Sequence, residues 1–200
     1  MSEFQEMLNW TNDIPTGSAN TFTRLLMGRP VKNLLEIGCY HGTSMVGFLT
    51  LFPHATATAV DIWDSDIKSE LSGIDFNEIE AKFDKNTARF ANRVEKVKGD
   101  SRKVLWKFIR EGRKYDLIYV DGSHKAFDVY HDAILAWELL NPDGVIIFDD
   151  FLWMTGSPNV FEIPYHAILS FLEAYRGEYD VLQMDYRVFL KKLIPRSISH

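Results

Sequence analysis

Residues 34–44 read LLEIGCYHGTS, an apolar run followed by two glycines and a pair of hydroxyl residues. Apolar residues at consecutive positions are typical of a strand that is buried on both faces of a parallel sheet. Gly38 and Gly42 then predict a tight turn, and the stretch that follows is helix-like. We therefore interpret the segment as a strand, a turn and a helix of an α/β protein.

The same alternation of short apolar runs and amphipathic stretches recurs along the chain. The strands predicted from the apolar runs cover 33–37, 57–62, 94–98, 115–121 and 144–149. The helices predicted between them cover 43–52, 76–92, 102–111 and 126–140. This βαβα order predicts a Rossmann-like, doubly wound α/β fold with a mostly parallel sheet.

The C-terminal part of the sequence departs from this order. A helix-like stretch at 165–176 precedes two apolar runs, 179–184 and 187–191, which only Asp185 and Tyr186 separate. A connection that short joins antiparallel strands, because a parallel crossover needs a dozen or more residues. We predict that the sheet ends in an antiparallel hairpin.

The composition excludes several classes of protein. Cys39 is the only cysteine, so the chain forms no internal disulfide and a cysteine-based zinc site is excluded. No repeat, biased tract or long linker divides the sequence, which favours a single domain over 1–200. A formal net charge of −6 argues against a surface built to grip nucleic acid. Without a signal-like N-terminus or an apolar run of about 20 residues, we expect a cytoplasmic chain with no membrane partner.

Each predicted parallel strand ends in a carboxylate or next to one. These acids are Glu36, Asp61, Asp100, Asp121, Asp149 and Asp150. Ligands of an open α/β sheet bind in the crevice beyond the carboxyl ends of the strands. The glycine turn after the first strand adds a helix start, whose backbone N–H groups are free to bind a ligand. We therefore expect the functional site at this edge of the sheet.

Two of these acids indicate the kind of ligand. Asp61 follows Gly42 by 19 residues, where an acid accepts hydrogen bonds from a ribose diol, and both NAD and S-adenosylmethionine carry that diol. Glu36 would repel a pyrophosphate but can accept from an ammonium group, so we favour S-adenosylmethionine. Asp100, with Ser101, is positioned to take the adenine amino group.

Two tryptophans near the predicted crevice have two interpretations each. Trp63 either covers the face of the adenine ring or is an ordinary exposed tryptophan of a loop. Trp153 lies in the apolar stretch 151–158, which is either a lid that contacts the substrate or a packed loop.

Four parts of the sequence together resemble the class I S-adenosylmethionine-dependent methyltransferases: 36–44, Asp61, 99–101 and 115–151. The resemblance implies a seven-stranded sheet of order 3-2-1-4-5-7-6, with the last strand inserted antiparallel. The chain differs at Tyr40, where many members have a second glycine of the turn. With this resemblance, the candidate cofactor-binding residues are Glu36, Gly38, Tyr40, Gly42, Ser44, Asp61, Ile62, Trp63, Asp100, Ser101 and Asp121.

Three shorter motifs resemble one group within that class. DGSH at 121–124, PDG at 142–144 and DD at 149–150 resemble the O-methyltransferases that act on sugars of macrolide antibiotics, of the mycinamicin and macrocin types. This resemblance implies methyl transfer to a hydroxyl of a small molecule, preferably a sugar or a glycoside. It also implies a homodimer.

Asp121, Asp149 and Asp150 end two predicted strands that lie side by side. Three carboxylates at close range repel one another, and a hard divalent cation with oxygen ligands removes the repulsion. We predict that they bind Mg²⁺ or Mn²⁺, which would hold a substrate hydroxyl and lower its pKa.

His124 lies three residues after Asp121, at the opening of the next predicted helix. Histidine changes charge near neutral pH, so it is the natural general base for a hydroxyl that attacks a methyl group. We interpret His124 and Asp121 as the candidate catalytic residues. The alternative for the histidine is a helix cap or a surface position.

Other functions stay open at this point. A catechol also offers adjacent hydroxyls for metal-assisted methyl transfer, and O-methyl transfer without a metal is another alternative. The segment 93–114 carries nine Lys or Arg against three acids, which is either a solvated face or a patch for nucleic-acid methylation. A nicotinamide-dependent oxidoreductase lacks the third glycine of its fingerprint here. A non-catalytic binding module would leave Asp149 and Asp150 in need of a strong partner.

Overall fold

The computed structural model describes residues 18–63 and 76–194, and this part of the chain forms a seven-stranded sheet with helices. The strands are β1 (Asn33–Ile37), β2 (Thr56–Asp61), β3 (Val94–Lys98), β4 (Tyr115–Val120), β5 (Leu140–Phe148), β6 (Tyr179–Met184) and β7 (Val188–Lys192). The helices are α1 (Ser18–Leu26), α2 (Thr43–Leu51), α3 (Phe76–Thr87), α4 (Ser101–Arg110), α5 (Ala126–Leu139) and α6 (Pro164–Ala174). Among these helices, none is long and apolar enough to cross a membrane.

The strands lie in the order β3-β2-β1-β4-β5-β7-β6. β1 to β5 pair in parallel, and β7 pairs antiparallel with both β5 and β6. The predicted α/β class, strand order and closing hairpin are therefore confirmed. The order reverses between β1 and β4, which is where an open sheet forms its binding crevice.

β1 illustrates why its apolar run is continuous. Leu34 packs into a cluster with Phe22 and Phe48 on one face of the sheet, and Leu35 packs into a second cluster with Ala136 on the other face. Both leucines are buried. A strand with helices on both sides has no face in water, so apolar residues are favoured at consecutive positions.

Helix α1 has no counterpart among the predicted elements. Its Phe22 is buried, and the centroid of its ring lies 5.6 Å from that of Phe48, 6.1 Å from Tyr119 and 5.4 Å from Phe189. These rings belong to α2, β4 and β7, and all three contacts are edge-on. Such aromatic pairs contribute about 0.5–1.5 kcal/mol each beyond burial. Phe22 therefore stabilises the packing of α1 on the sheet.

Strand β5 begins earlier than predicted. Tyr115 pairs with Leu140, and the register shifts before Leu117 pairs with Val145. Asp143 lies inside this irregularity with a φ of 66°. The Asn-Pro-Asp-Gly segment therefore bends the strand, as a bulge does, rather than preceding it.

The antiparallel pairing brings the C-terminal hairpin to the predicted crevice. Val188, at the start of β7, pairs with Phe148 at the end of β5. Tyr186 and Arg187 precede β7 and therefore lie beside the aspartates that follow β5. The N–H of Phe151 also donates to the carbonyl oxygen of Tyr186 at 3.0 Å. The hairpin thus flanks the crevice at this edge of the sheet.

The turns after β1 and β4 touch at Gly38. Its φ is 83°, and a Cβ atom there would lie 2.0 Å from the carbonyl oxygen of Asp121. Glycine adopts this left-handed conformation without a side-chain clash. The close contact between the two turns therefore requires glycine at this position.

We expect Gly38→Ala to lower the free energy of unfolding by about 3 kcal/mol or more, because left-handed strain and a backbone clash add together. Gly28→Ala is the matched control, since Gly28 has a φ of 81° but no atom within 4 Å of an added Cβ. That control should lose about 1–2 kcal/mol, from strain alone. Urea unfolding measures both variants, and equal losses would contradict the steric argument.

Candidate functional site

A cleft lies beyond the carboxyl ends of β4 and β5, at the edge predicted for ligand binding. It is lined by Val120, Asp121, Gly122, Ser123, His124, Val129, Phe148, Asp149, Asp150 and Pro164. The structure therefore brings both candidate catalytic residues together with the two aspartates that follow β5.

Asp61 holds the glycine turn that follows β1. One of its carboxylate oxygens accepts hydrogen bonds from the N–H groups of Cys39 and Tyr40, both at 2.8 Å, and the other accepts from Trp63 N at 3.1 Å. Tyr40 itself has a φ of 44°. A carboxylate offers about four lone-pair directions, so about one is left for a ligand hydroxyl.

Trp63 belongs to the core, which corrects the expectation of an exposed loop residue. It is fully buried, and its ring centroid lies 4.8 Å from that of Phe83. Its Nε1–H donates to the carbonyl oxygen of Tyr40 at 3.1 Å, and Lys96 Nζ lies 5.0 Å from the ring centroid. The indole therefore supports the turn at Tyr40 rather than presenting an open face to adenine. Ile62, beside it, is half-buried.

Glu36 is a buried carboxylate with one unsatisfied oxygen. The Ser44 hydroxyl donates to Oε1, whereas Oε2 has no hydrogen-bond partner among the described residues. Burial raises the pKa of Glu36 to about 8; the Ser44 hydroxyl opposes this rise and the charge of Asp61 adds to it. Because a buried polar atom without a partner is costly, the position favours a ligand that donates hydrogen bonds or carries positive charge.

Asp100 and Ser101 use their side chains within the protein. Asp100 caps α4 by accepting from Arg102 N at 3.0 Å, and its carboxylate pairs with the Arg102 guanidinium at 2.9 Å, which lowers its pKa. Ser101, the first residue of α4, donates to Asp132 Oδ1 at 2.7 Å. Burial raises the pKa of Asp132 to about 7. An adenine amino group would have to share Asp100 with Arg102.

Asp121 lies among other acids at the end of β4. Burial, and then the charges of Asp149, Asp150 and Glu36, raise its pKa well above the usual range, while Arg187 opposes the rise. Removing an acid's proton costs more when like charges surround it. A cationic group in this part of the cleft would therefore stabilise the ionised form of Asp121.

His124 and Asp150 form a hydrogen-bonded pair in the cleft. His124 Nε2 lies 2.8 Å from one carboxylate oxygen of Asp150, and the Tyr186 hydroxyl donates to the other at 2.8 Å. Burial acts to raise the pKa of Asp150, but the hydrogen bonds from His124 and Tyr186 hold it below its usual value. A carboxylate so placed orients an imidazole and stabilises its protonated form, which is what a general base needs.

Trp153 stacks on the imidazole of His124. The two ring centroids are 5.0 Å apart, with an interplanar angle of 15°. Trp153, Leu152 and Met154 are exposed, whereas Phe151 is buried. The predicted substrate contact therefore lies next to the predicted base, and its neighbours form an apolar rim.

Asp149 is paired with a residue that the sequence did not predict. Arg187 Nε lies 2.8 Å from Asp149 Oδ1, and both residues are buried. The N–H of Asp150 donates to the same oxygen at 2.8 Å, and the Tyr119 hydroxyl donates to Oδ2. Both oxygens of Asp149 are therefore engaged within the protein.

The expected Mg²⁺ or Mn²⁺ site is not formed by Asp121, Asp149 and Asp150. Within residues 18–63 and 76–194, no group of three His, Cys, Asp or Glu side chains is arranged to hold a metal ion. The donor atoms give the reason, because hard divalent cations need several available oxygen ligands. Here Arg187 neutralises Asp149, and the Asp150 oxygens bind His124 and a tyrosine hydroxyl. These residues, as arranged, do not fit the metal.

Comparison with known proteins shows the family. Residues 35–151 match a family model described as a methyltransferase domain. The chain belongs to this methyltransferase family. Among curated proteins, an O-methyltransferase from Aspergillus hancockii is 27% identical over 125 residues, which is 62% of this chain and 44% of that protein. The methyltransferase chain thus spans less than half the length of this curated relative.

Solved methyltransferase structures have the same fold at low sequence identity. The O-methyltransferase TomG from Streptomyces achromogenes, involved in tomaymycin synthesis and solved with S-adenosylmethionine, has a TM-score of 0.68 and 18% identity over 96% of this chain and 90% of that one. An O-methyltransferase from Bacillus cereus, solved with S-adenosylhomocysteine, has a TM-score of 0.66 and 19% identity over 96% and 91%. MycE, a methyltransferase from the mycinamycin pathway solved with magnesium, S-adenosylhomocysteine and mycinamycin VI, has a TM-score of 0.69 and 15% identity over 96% and 55%.

The candidate site and its surroundings contain residues that sequence reasoning missed: Tyr119, Asp132, Tyr186 and Arg187. A signal for Tyr186 and Arg187 was present, because a hairpin inserted antiparallel beside β5 places the residues before β7 at the end of β5. Tyr119 and Asp132 had no comparable signal. One lies in an apolar strand and the other in a helix, and neither position differs locally from an ordinary core or surface residue.

The basic segment 93–114 of this methyltransferase makes ion pairs with neighbouring acids. Lys96 lies 2.8 Å from Glu80, and Arg113 lies 2.7 Å from Glu95. Paired cations are less available to phosphates than a free basic patch. The structural interpretation of this segment is favoured over a nucleic-acid surface.

We expect the free energy of unfolding to fall as the pH rises from 6 to 8. Glu36 keeps a proton in the folded protein up to a pKa of about 8, whereas the ordinary value is 4.5. The folded state therefore binds more protons than the unfolded state in this window, and stability falls with pH. At about 1.36 kcal/mol per pKa unit, Glu36→Gln should remove about 2 kcal/mol of this loss. Urea unfolding at both pH values measures the effect.

Glu80→Gln is the control for that experiment. Hydrogen bonds from Lys96 and Lys98 lower the pKa of Glu80, so it titrates below the window and its loss should leave the slope unchanged. Asp121 and Asp132 also have raised pKa values and should maintain a residual slope in Glu36→Gln. A Glu36→Gln variant with the full wild-type slope would show that Glu36 is already ionised in the folded protein.

Proposed function

We propose that the chain transfers the methyl group of S-adenosylmethionine to a hydroxyl oxygen of a small molecule, with His124 as the general base. One observation carries this proposal. Glu36 is buried at the end of β1 with an unpartnered oxygen, one strand away from a cleft that contains the His124–Asp150 pair. A cation-binding carboxylate and a carboxylate-oriented base therefore adjoin the same crevice.

The charges in the crevice favour a cationic cosubstrate. Glu36 and Asp121 follow adjacent strands, and the charge of Glu36 contributes to the raised pKa of Asp121. S-adenosylmethionine brings an ammonium group and a sulfonium, and positive charge stabilises ionised carboxylates. The pyrophosphate of a nicotinamide dinucleotide would add negative charge to the same place. We therefore assign Glu36 to the ammonium group.

The other cofactor contacts follow from the turns around the crevice. Gly38 and Gly42 allow a ligand to approach the backbone, and Asp61 has about one lone-pair direction for a ribose hydroxyl. Asp100 and Ser101 stay candidates for the adenine end. These side chains would recognise the nucleoside, while Glu36 recognises the amino-acid part.

The named relatives support this cosubstrate and this reaction. The structures from Streptomyces achromogenes and Bacillus cereus were solved with S-adenosylmethionine and S-adenosylhomocysteine. The curated relative from Aspergillus hancockii is also named an O-methyltransferase. We extend that activity to this chain because its own crevice has the charges and the base that the reaction needs.

Bound S-adenosylmethionine supplies a methyl group on a positively charged sulfur. In the proposed reaction the acceptor oxygen forms a bond to that methyl carbon while the carbon–sulfur bond breaks, and the bonding pair stays on sulfur. His124 takes the proton of the acceptor hydroxyl, and Asp150 stabilises the imidazolium that forms. Tyr186 holds Asp150 in place through its hydroxyl. The protein thus positions the acceptor oxygen and removes its proton.

The proposed acceptor is a hydroxylated small molecule, with a sugar or a glycoside preferred. Trp153 supports an acceptor with a flat face, because its exposed indole is stacked on the base. Apolar faces of sugar rings and aromatic rings both pack on tryptophan. MycE, solved with a mycinamycin, supports the sugar, and a catechol is the alternative acceptor.

One other alternative is a non-catalytic binding module. Arg187 is the strong partner that Asp149 needs, so paired aspartates no longer argue against a non-catalytic binding module. A non-catalytic binding module is instead disfavoured by the unpartnered oxygen of Glu36 and by the orientation of His124 by Asp150.

The affinity for S-adenosylhomocysteine should rise about tenfold between pH 7 and 8.5. Glu36 has to lose a proton with a pKa of about 8 before it can bind the ammonium group, so binding strengthens as the pH rises through that value. Calorimetric titration measures the affinity, with NADH as the control ligand.

Glu36→Gln should bind S-adenosylhomocysteine more weakly and without this pH dependence, whereas Glu80→Gln should behave as the wild type. Wild-type affinity in the Glu36→Gln variant would remove the basis of the proposal.

His124→Ala should lower the rate of methyl transfer by about 10²- to 10⁴-fold, which is the usual contribution of a general base. The rate is followed with radiolabelled S-adenosylmethionine on methyl hexopyranosides and catechol. His131→Ala is the matched control, since His131 is a half-buried histidine in α5 outside the cleft. A His124→Ala rate within about twofold of the control would give His124 a structural role only.

A further inference from the structure

Three aspartates at the carboxyl ends of β4 and β5 line one cleft, and a buried guanidinium pairs with one of them. Arg187 Nε lies 2.8 Å from Asp149 Oδ1, and the exposed fraction of each side chain is 6%. Asp121 and Asp150 line the same cleft as Asp149, and Asp150 is its neighbour in the chain. Arg187 therefore supplies a positive charge inside the acidic cluster.

The oxygens that a metal ion would use are already bound within the cluster. The N–H of Asp150 and the Tyr119 hydroxyl donate to Asp149. The Tyr186 hydroxyl and His124 Nε2 contact the two oxygens of Asp150, each at 2.8 Å. Mg²⁺ and Mn²⁺ prefer oxygen ligands, so a cation bound through Asp149 and Asp150 would have to displace these contacts.

The fold holds Arg187 firmly in this position. Pairing of Val188 with Phe148 places Arg187 beside the end of β5. The guanidinium carbon lies 5.5 Å from the ring centroid of Phe22 and 5.7 Å from that of Tyr186. Arginine stays protonated at all physiological pH values, and separating a buried ion pair leaves an uncompensated charge.

We infer that Arg187 is the resident counter-ion of Asp121, Asp149 and Asp150 and takes the place of a divalent metal in this cleft. The inference rests on the proposed function, because it makes the methyl transfer at His124 independent of added metal. Arg187 acts as a positioning residue. By neutralising Asp149 it fixes the Asp149–Asp150 backbone, and Asp150 in turn orients His124.

Binding of Mn²⁺ to the wild-type chain tests the inference without any acceptor. Free Mn²⁺ is measured by electron paramagnetic resonance in the presence of S-adenosylhomocysteine, and we expect no site with a Kd below about 1 mM. A stoichiometric micromolar site that Asp121→Asn, Asp149→Asn or Asp150→Asn removes would overturn the inference. A site that survives all three substitutions lies elsewhere on the chain and supports it.

The Arg187→Met variant tests the inference in the opposite direction, because it should bind Mn²⁺ more tightly. Once the guanidinium is absent, Asp149 becomes available to a cation, so the affinity for Mn²⁺ should rise at least about tenfold over the wild type. Adding Asp149→Asn to the same variant should abolish the gain. A folded Arg187→Met protein without increased Mn²⁺ affinity contradicts the inference, and if that variant does not fold, the wild-type titration decides alone.

Calorimetry with S-adenosylhomocysteine in EDTA separates this inference from the proposed function. A chain that binds neither S-adenosylhomocysteine nor Mn²⁺ contradicts the proposed function but leaves Arg187 as the counter-ion. A chain that binds S-adenosylhomocysteine and also an aspartate-dependent Mn²⁺ ion keeps the proposed function and overturns the inference. Binding of S-adenosylhomocysteine alone supports both.

Discussion

The ion pair between Arg187 and Asp149 offsets a negative charge that the fold would otherwise bury at high cost. Parallel strands bring their carboxyl ends to one edge, and this chain places acids at that edge after β1, β2, β4 and β5. A buried carboxylate without a partner costs several kcal/mol. The guanidinium reaches Asp149 because β7 enters the sheet antiparallel beside β5. The topology of the sheet and the charge balance of the crevice therefore depend on each other.

The fold could be predicted where the signal is local. Continuous apolar runs such as 34–37 identify strands buried on both sides, and the short connection between Met184 and Val188 dictates an antiparallel hairpin. Helix α1 was not predicted, although Phe22, Leu25 and Leu26 give it an amphipathic pattern. Its nine residues are too few for such a pattern to decide, and its stability comes from the contacts of Phe22 with three distant rings. The start of β5 was missed for a similar reason, since it depends on pairing with Tyr115.

In the candidate site, too, the sequence predicted where the acids lie but not which groups they bind. The rule that ligands bind at the carboxyl ends of strands located the acids correctly, because topology alone decides where a strand ends. It did not tell apart the uses of those acids. Asp61 binds backbone N–H groups, and Asp100 binds Arg102 two residues away. Asp149 binds Arg187, which lies in the C-terminal hairpin. Of the charged partners, only Arg102 is near enough in sequence to be recognised without the register of the sheet.

The segment between Asp150 and α6 pairs with no strand of the sheet. It is tied down where Phe151 donates to the carbonyl oxygen of Tyr186, and beyond that point it exposes apolar side chains such as Trp153 and Phe161. Loops of this kind tolerate changes in length and sequence, whereas the elements that anchor them do not. Substitutions there alter what the rim of the cleft touches and leave the Arg187–Asp149 ion pair and the sheet intact. Related chains can therefore diverge in the residues of this rim while the charged residues of the cleft stay the same.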